Sequence, residues 1–228
     1  MNYGDIVQLG RHRLMCGDAT NYGDIEALLD GRKVDLVLTD PPYGVNIVKS
    51  GSWMKRYRDI KNDTPEDALN VARAHWGIVQ DISDAHIFWG GQFFAHFLPI
   101  SRSWLVWDKC RSNKFSFSSC ELAWSNTGGN RNWYYKQFWN GAFGKKSPLN
   151  PCPHVHPTQK PVELHAHILE DFSQEGDLIL DCFGGSGTTL IACEISNRTC
   201  CMMELSPDYC DVIVNRYTTL TKGALSFG

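Results

Sequence analysis

The segment from Asp177 to Phe183 (DLILDCF) is an unbroken apolar strand pattern that runs directly into Gly184, Gly185 and Gly187 and then into a helical pattern over 186–197. A buried strand joined to a helix by a glycine turn is the building unit of an open α/β sheet, and the rest of the chain repeats that alternation. Residues 12–16 and 34–39 (VDLVLT) read as strands, with a helix from Tyr22 to Asp30 between them. Thr64-Pro65-Glu66-Asp67 joins a cap, a proline suited to the first turn and an acid three residues on, which predicts a helix to about Gln80. AHIFWG (85–90) reads as a strand and is followed by a short helix to about Leu98, then by strands SWLVWD (103–108) and CELAWS (120–125). Residues 126–156 are poor in aliphatics and rich in Gly, Asn and Pro, which predicts a long loop or small insertion. A helix from Pro161, the strand and helix around the glycines, strand TCCMME (199–204) and a helix over Pro207–Leu220 complete the pattern. The expected fold is α/β: a parallel-rich, Rossmann-like sheet with helices on both faces, in one domain of 228 residues.

Composition narrows the setting. No stretch of 18 apolar residues occurs, and MNYGDIVQLG lacks a basic start followed by an apolar run, so neither a membrane span nor a secretory signal is expected. Nine cysteines without a C-x-x-C pair argue against a disulfide framework or a zinc ribbon and predict a reduced, cytoplasmic protein. Net charge is only −3, but it is unevenly spread. Between Arg102 and Lys146 eight Lys and Arg face two acids, so that window carries +6 and the remainder −9; it also holds eleven of the 27 aromatics. Such a window suits a nucleic-acid face, or a solvated loop over a satellite core.

The glycine turn lets a backbone pass close to a ligand at the N-terminus of a helix, where free N–H groups gather. Glu204, seventeen residues after Gly187, closes the next strand and is placed to accept hydrogen bonds from ribose hydroxyls. No Lys follows the last glycine, which disfavours ATP, and Leu190 stands where a dinucleotide fingerprint has its third glycine, which disfavours NAD. An adenosine-containing ligand of another kind is expected.

Asp40-Pro41-Pro42-Tyr43 follows the strand VDLVLT and so lies at a strand's C-terminal end, where open α/β sheets bind ligands. The prolines stiffen the backbone and remove two N–H donors, which leaves carbonyl acceptors beside the Asp40 carboxylate. Two acceptors and the flat face of Tyr43 suit an exocyclic amine on a planar ring; the plainer reading is a stiff turn with an incidental acid.

Together these residues resemble the amino-group DNA methyltransferases that use S-adenosylmethionine, in the beta, circularly permuted subgroup, where the DPPY turn precedes the FxGxGTT loop. His156-Pro157-Thr158-Gln159-Lys160-Pro161 resembles that family's HPTQKP segment, Gly17-Asp18-Ala19 its GD turn, and Trp107-Asp108-Lys109 its WDK. Glu204, Tyr209 and Arg216 resemble its closing E…Y…R helix. The resemblance implies a Rossmann-like methyltransferase sheet, circularly permuted, and a catalytic turn of Asp40, Pro41, Pro42 and Tyr43. It implies cofactor contacts from Asp18 and Ala19 at the adenine, from Glu204 at the ribose, from Asp181, Phe183, Gly185, Ser186, Gly187, Thr188 and Thr189 along the methionine part, and from Thr158 and Lys160 near its carboxylate. A short target-recognition insertion is implied at about 128–154. DNA contacts are expected from Trp53, Arg56, Lys109, Arg111, Lys114, Arg131, Lys145 and Lys146. The family habit of Asp for adenine and Ser for cytosine at the first position of the turn favours adenine N6. DNA is the implied substrate; a homodimer is compatible with the subgroup, and no fused endonuclease is expected. Cytosine N4, an RNA amine, a non-catalytic nucleic-acid-binding module and a nicotinamide oxidoreductase are the competing readings. Cys152, His154 and His156 lack a second ligand pair, so no metal is expected.

Overall fold

The computed structural model describes residues 1–44, 64–111, 118–138, 155, 156 and 158–225. Its elements are β1 (Ile6–Leu9), β2 (His12–Cys16), α1 (Tyr22–Leu29), β3 (Leu36–Thr39), α2 (Pro65–Val79), β4 (His86–Trp89), α3 (Gly91–Phe94), β5 (Ser103–Asp108), β6 (Cys120–Ser125), β7 (Trp133–Lys136), α4 (Val162–Phe172), β8 (Leu178–Asp181), α5 (Thr188–Ile195), β9 (Thr199–Glu204) and α6 (Pro207–Leu225). Among the described residues nine strands form one sheet in the order β1-β2-β9-β8-β3-β4-β6-β5-β7. Strands β2, β9, β8, β3 and β4 pair in parallel, β1 and β6 run against their neighbours, and β7 is parallel to β5.

The central strands are covered on both faces, which is why they read as continuous apolar runs. Leu36, Leu38, Ile179, Cys200 and Met202 pack with α4, α5 and α6 on one side. Their alternates Val37, Leu180, Cys201 and Met203 pack with α1, α2 and α3 on the other. The cap at Thr64 forms as its sequence predicts: its hydroxyl accepts from the Asp67 N–H at 3.2 Å and donates to the Asp67 carboxylate at 2.5 Å.

Two local expectations need correction, and one strand lies outside them. The helix after β4 stops at Phe94 instead of continuing to Leu98; residues 95–97 form turns, and Pro99 disfavours the helical conformation at Leu98. Residues 6–9 form a hairpin strand on β2 that polar alternation hid. Residues 133–136, expected in the loop or recognition insertion, hydrogen-bond to β5 as an edge of the main sheet. The remainder of that stretch, 139–154, lies outside the described residues.

Sheet order locates the binding edge. β8 leads through α5 to β9 on one side, whereas β3 leads through α2 to β4 on the other, so connections diverge between neighbouring strands β8 and β3. An open α/β sheet has its ligand crevice at this point, outside the strands' C-terminal ends.

Candidate active site

The glycine turn after β8 and the Asp-Pro-Pro-Tyr turn after β3 meet at that divergence. A cleft with about 1150 Å³ of space, counting its open mouth, is lined by Asp18, Ala19, Asp40–Tyr43, Thr158, Lys160, Asp181–Ser186, Thr188, Thr189 and Glu204. Val71, His156, His165, Leu205, Ser206 and Tyr209 also line it, residues for which the sequence carried weaker signals or none.

At one end Glu204 closes β9 with both carboxylate oxygens engaged. One accepts from the Gly185 N–H at 2.7 Å and the other from the Ser206 N–H at 2.8 Å. Burial pushes its pKa up to about 7 against the downward pull of those two donors. Asp18 lies alongside, because the Gly17 N–H donates to the Glu204 carbonyl at 3.1 Å. The Ala19 carbonyl accepts from His75 Nδ1 at 3.0 Å. The His75 ring stands edge-on to Phe183, 5.0 Å between centroids, so α2 props both the Asp18 turn and the glycine turn.

The glycine turn is braced from beneath. Asp181 accepts from the Thr189 hydroxyl at 2.6 Å and from the Phe183 N–H at 3.1 Å, and burial raises its pKa to about 6. Thr188 donates to the Lys160 carbonyl at 3.2 Å, and Arg216 donates to the Ser186 carbonyl. Gly187 caps α5 at φ +81°, a left-handed conformation that glycine adopts at little cost. Asp181 and Thr189 therefore bond to one another and, with Gly185 and Ser186, line the cleft. Thr158 is exposed and lies on His156, Oγ1 to Nδ1 at 3.0 Å. His156 packs on Tyr209, and burial holds it neutral with a pKa of about 3.

At the other end Asp40 accepts from the Tyr43 hydroxyl and the Lys160 ammonium. Lys160 was expected toward the cofactor carboxylate; its ammonium instead lies on the Asp40–Tyr43 turn, 3.3 Å from the Tyr43 hydroxyl and 5.0 Å from the Trp89 ring centre. Tyr43 stacks on Phe93, 5.3 Å between centroids at 29°, and packs against Gly90, where a Cβ would collide with the ring. Phe93 remains 45% exposed beside the turn, an aromatic that sequence reading passed over.

The donor set can be tested against a ligand. Of the charged residues lining the cleft, four are acids (Asp18, Asp40, Asp181, Glu204) and one is a base, Lys160. His156 and His165 are neutral, their pKa values held near 3 by burial. That wall suits a ligand with hydroxyls and a cationic centre and repels the phosphates of ATP or NAD.

The expected DNA-facing residues divide. Lys109 turns inward, 2.5 Å from Glu121 and over the Trp107 ring, so it is not presented to solvent. Arg111 is partly buried, which lowers its pKa against the pull of Glu121. Arg131 is exposed and lies 3.7 Å over the Trp133 ring. Trp53, Arg56, Lys114, Lys145 and Lys146 lie outside the described residues.

Comparison with known proteins supplies the family. The family model described as DNA methylase, for N6 and N4 methyltransferases, matches residues 95–215, more than half of the chain. The Type II methyltransferase M.HpaI of Haemophilus parainfluenzae is 25% identical over 248 residues, covering 90% of this chain and 73% of its own. In solved structures, M1.HpyAVI in complex with SAM aligns at TM-score 0.59 and 19% identity, over 89% of this chain and 97% of that one. PvuII DNA methyltransferase, cytosine-N4-specific, aligns at TM-score 0.66 and 13% identity, over 97% of this chain and 94% of that one. These two share the fold, a mixed sheet with helices on both faces. By its family match, the chain belongs to the DNA methylases that act on amino groups, adenine N6 or cytosine N4.

Proposed function

We propose that this chain transfers the methyl group of S-adenosylmethionine to the N6 amine of adenine in DNA. One observation carries the reading: the glycine turn and the Asp40–Tyr43 turn border one cleft whose lining is acidic at both ends. S-adenosylmethionine supplies a methyl group already activated on a sulfonium. Glu204 and Asp18 would accept from its hydroxyls, and Gly185 and Ser186 border the path toward Asp40.

The base amine is conjugated with its ring and is a weak nucleophile. Asp40 and the Pro41 carbonyl accept its N–H groups and favour the pyramidal, positively charged nitrogen that develops during attack, which is preorganised electrostatics plus positioning. Each Asp40 oxygen already takes one donor, from Tyr43 or Lys160, and keeps a second lone pair for the amine. Asp40 then takes up the proton, directly or through water. A base in a duplex cannot reach this depth, so the nucleotide flips out and meets the Tyr43–Phe93 stack.

Adenine is preferred to cytosine on the family habit of Asp, here Asp40, at the first position of the turn. Chemically both bases offer the same exocyclic NH₂, and cytosine N4 is the second reading. The test is product identity. Unmethylated DNA is incubated with the protein and S-adenosylmethionine, then digested to nucleosides for mass spectrometry. N6-methyladenine is expected; N4-methylcytosine overturns the base assignment, and no methylated nucleoside overturns DNA methylation. Asp40→Ala should abolish transfer and leave calorimetric binding of S-adenosylhomocysteine within about threefold.

A further inference from the structure

We propose that Glu121 is a positioning residue for Asp40, acting through Lys160. The chain Lys109–Glu121–Lys160–Asp40 aims the Lys160 ammonium at the catalytic carboxylate. The proposal rests on the reading of Asp40 as the acceptor of the base amine.

Topology brings the four together. β6 runs against β4 and β5, so its first residues lie at the same sheet edge as the last residues of β3 and β5. In register Glu121 faces Trp107 and Cys120 faces Asp108, which sets Glu121 beside Lys109. One Glu121 oxygen lies 2.5 Å from the Lys109 ammonium and the other 3.4 Å from that of Lys160, which also pairs with Asp40. The Lys160 side chain is 5% exposed, between the Trp89 and Tyr43 rings.

A buried ammonium whose one carboxylate must also serve a substrate would be poorly held, and Glu121 gives it a second anion. Burial alone would pull the Lys160 pKa down, but Asp40 and Glu121 reverse this and leave it raised above 10.5. Burial pushes the Glu121 carboxyl up, but Lys160 and Lys109 outweigh it and hold the pKa below 4.5. The other titratable groups that bear on Lys160 are Tyr43, the neutral rings of His156 and His165, and Asp181; Arg111 acts on it through Glu121. Two anions and two cations leave the chain neutral, so removal of Glu121 leaves a surplus cation beside Asp40.

The test compares wild type with Glu121→Gln, which keeps shape and removes charge, and with Lys109→Met. Lysine Nζ and Cε resonances are followed by NMR against pH, with Lys160 assigned by its absence in Lys160→Arg. Wild-type Lys160 should remain an ammonium through pH 10.5. In Glu121→Gln its midpoint should fall by about one unit or more, and in Lys109→Met it should not fall. In turnover at saturating DNA, Glu121→Gln should lower kcat about tenfold and move its alkaline limb down with the NMR midpoint. KM for S-adenosylmethionine should stay within about twofold, and Glu121→Asp should recover part of the loss. Unchanged kcat and midpoint in Glu121→Gln, or equal falls in both variants, would overturn the proposal. Should Glu121→Gln not fold, Glu121→Asp carries the same comparison with an intermediate shift expected. If wild type methylates no DNA, the Asp40 reading fails on its own, and the NMR midpoints still decide whether Glu121 holds Lys160.

Discussion

Replacing Glu204 with Gln gives a pH-dependent difference whose size follows from the site. The carboxyl titrates at its ordinary 4.5 when unfolded and at about 7 when folded, chiefly because it is buried. A folded pKa above the unfolded one means that this group's contribution to stability is complete below about pH 4.5. It declines as pH rises through about 7. Integration of the two titrations between pH 5 and pH 8 gives a loss of about 2–3 kcal/mol in the ligand-free protein. Gln cannot ionise, so the variant lacks this slope. It also exchanges one of the acceptors for Gly185 and Ser206 for an NH₂ group, at a cost of about 1–3 kcal/mol that is constant with pH. Urea unfolding of both proteins at pH 5 and 8, without ligand, reads the difference directly. Relative to the variant, wild type should lose about 2–3 kcal/mol between the two pH values. Bound S-adenosylhomocysteine, whose ribose would use the ionised carboxylate, should bind wild type more tightly as pH rises through about 7 and show no such rise in Glu204→Gln. Parallel stability profiles would refute the argument, because they would mean the carboxyl is not desolvated and has no special claim on the ribose.

Three further changes probe the Asp40 end of the cleft and the surface beyond it. Gly90→Ala forces a side chain into φ +70° and onto the Tyr43 ring; it should cost about 1–2 kcal/mol from the backbone alone and lower kcat more than cofactor affinity. Phe93→Ala removes an exposed ring and should change stability by no more than about 1 kcal/mol, while raising KM for DNA several-fold; an unchanged KM would take Phe93 off the path of the base. Arg131→Ala should reduce the slope of log affinity for DNA against log salt by about one, since each phosphate contact contributes roughly that much; an unchanged slope would leave Arg131 as a support for Trp133 alone.

What sequence could reveal depended on whether an element's role is local. The Thr64 cap, the β8–glycine–α5 unit and the closing strand at Glu204 each carry their signal within a few residues, and each forms where it reads. Glu121 carries none. It is one acid at the start of an ordinary strand, and its place beside Lys160 follows only from β6 running antiparallel between β4 and β5. Lys109 misled for the same reason, since a lysine in a basic, aromatic window reads as a phosphate contact until its partner is known. His75 was hidden by its helix, because a buried His at helical spacing looks like core until its Nδ1 is seen on the Ala19 carbonyl. β7 was masked by Gly and Asn neighbours, although Trp-Tyr-Tyr is itself a good strand sequence.

The two turns that build the cleft lie far apart in sequence, yet their nearness is a property of strand order. Leu36 and Val37 of β3 register with Ile179 and Leu180 of β8, so whatever follows each strand must emerge side by side. Each turn follows directly on its own strand, the Asp40–Tyr43 turn packed on Phe93 and Gly90 and the glycine turn running into α5. The order of the turns along the chain therefore does not alter the site: an acceptor turn and a glycine turn on adjacent strand ends make the same cleft whichever is synthesised first. The join between them is what the sheet cannot supply by itself. Lys160 supplies it, with its carbonyl on Thr188 of the glycine side and its ammonium on Asp40 of the other. Lys160→Met should accordingly disturb both halves at once, lowering kcat through Asp40 while weakening cofactor binding only so far as the backbone bond to Thr188 shifts. Loss of cofactor affinity with kcat preserved would instead assign the ammonium to the cofactor and refute the join.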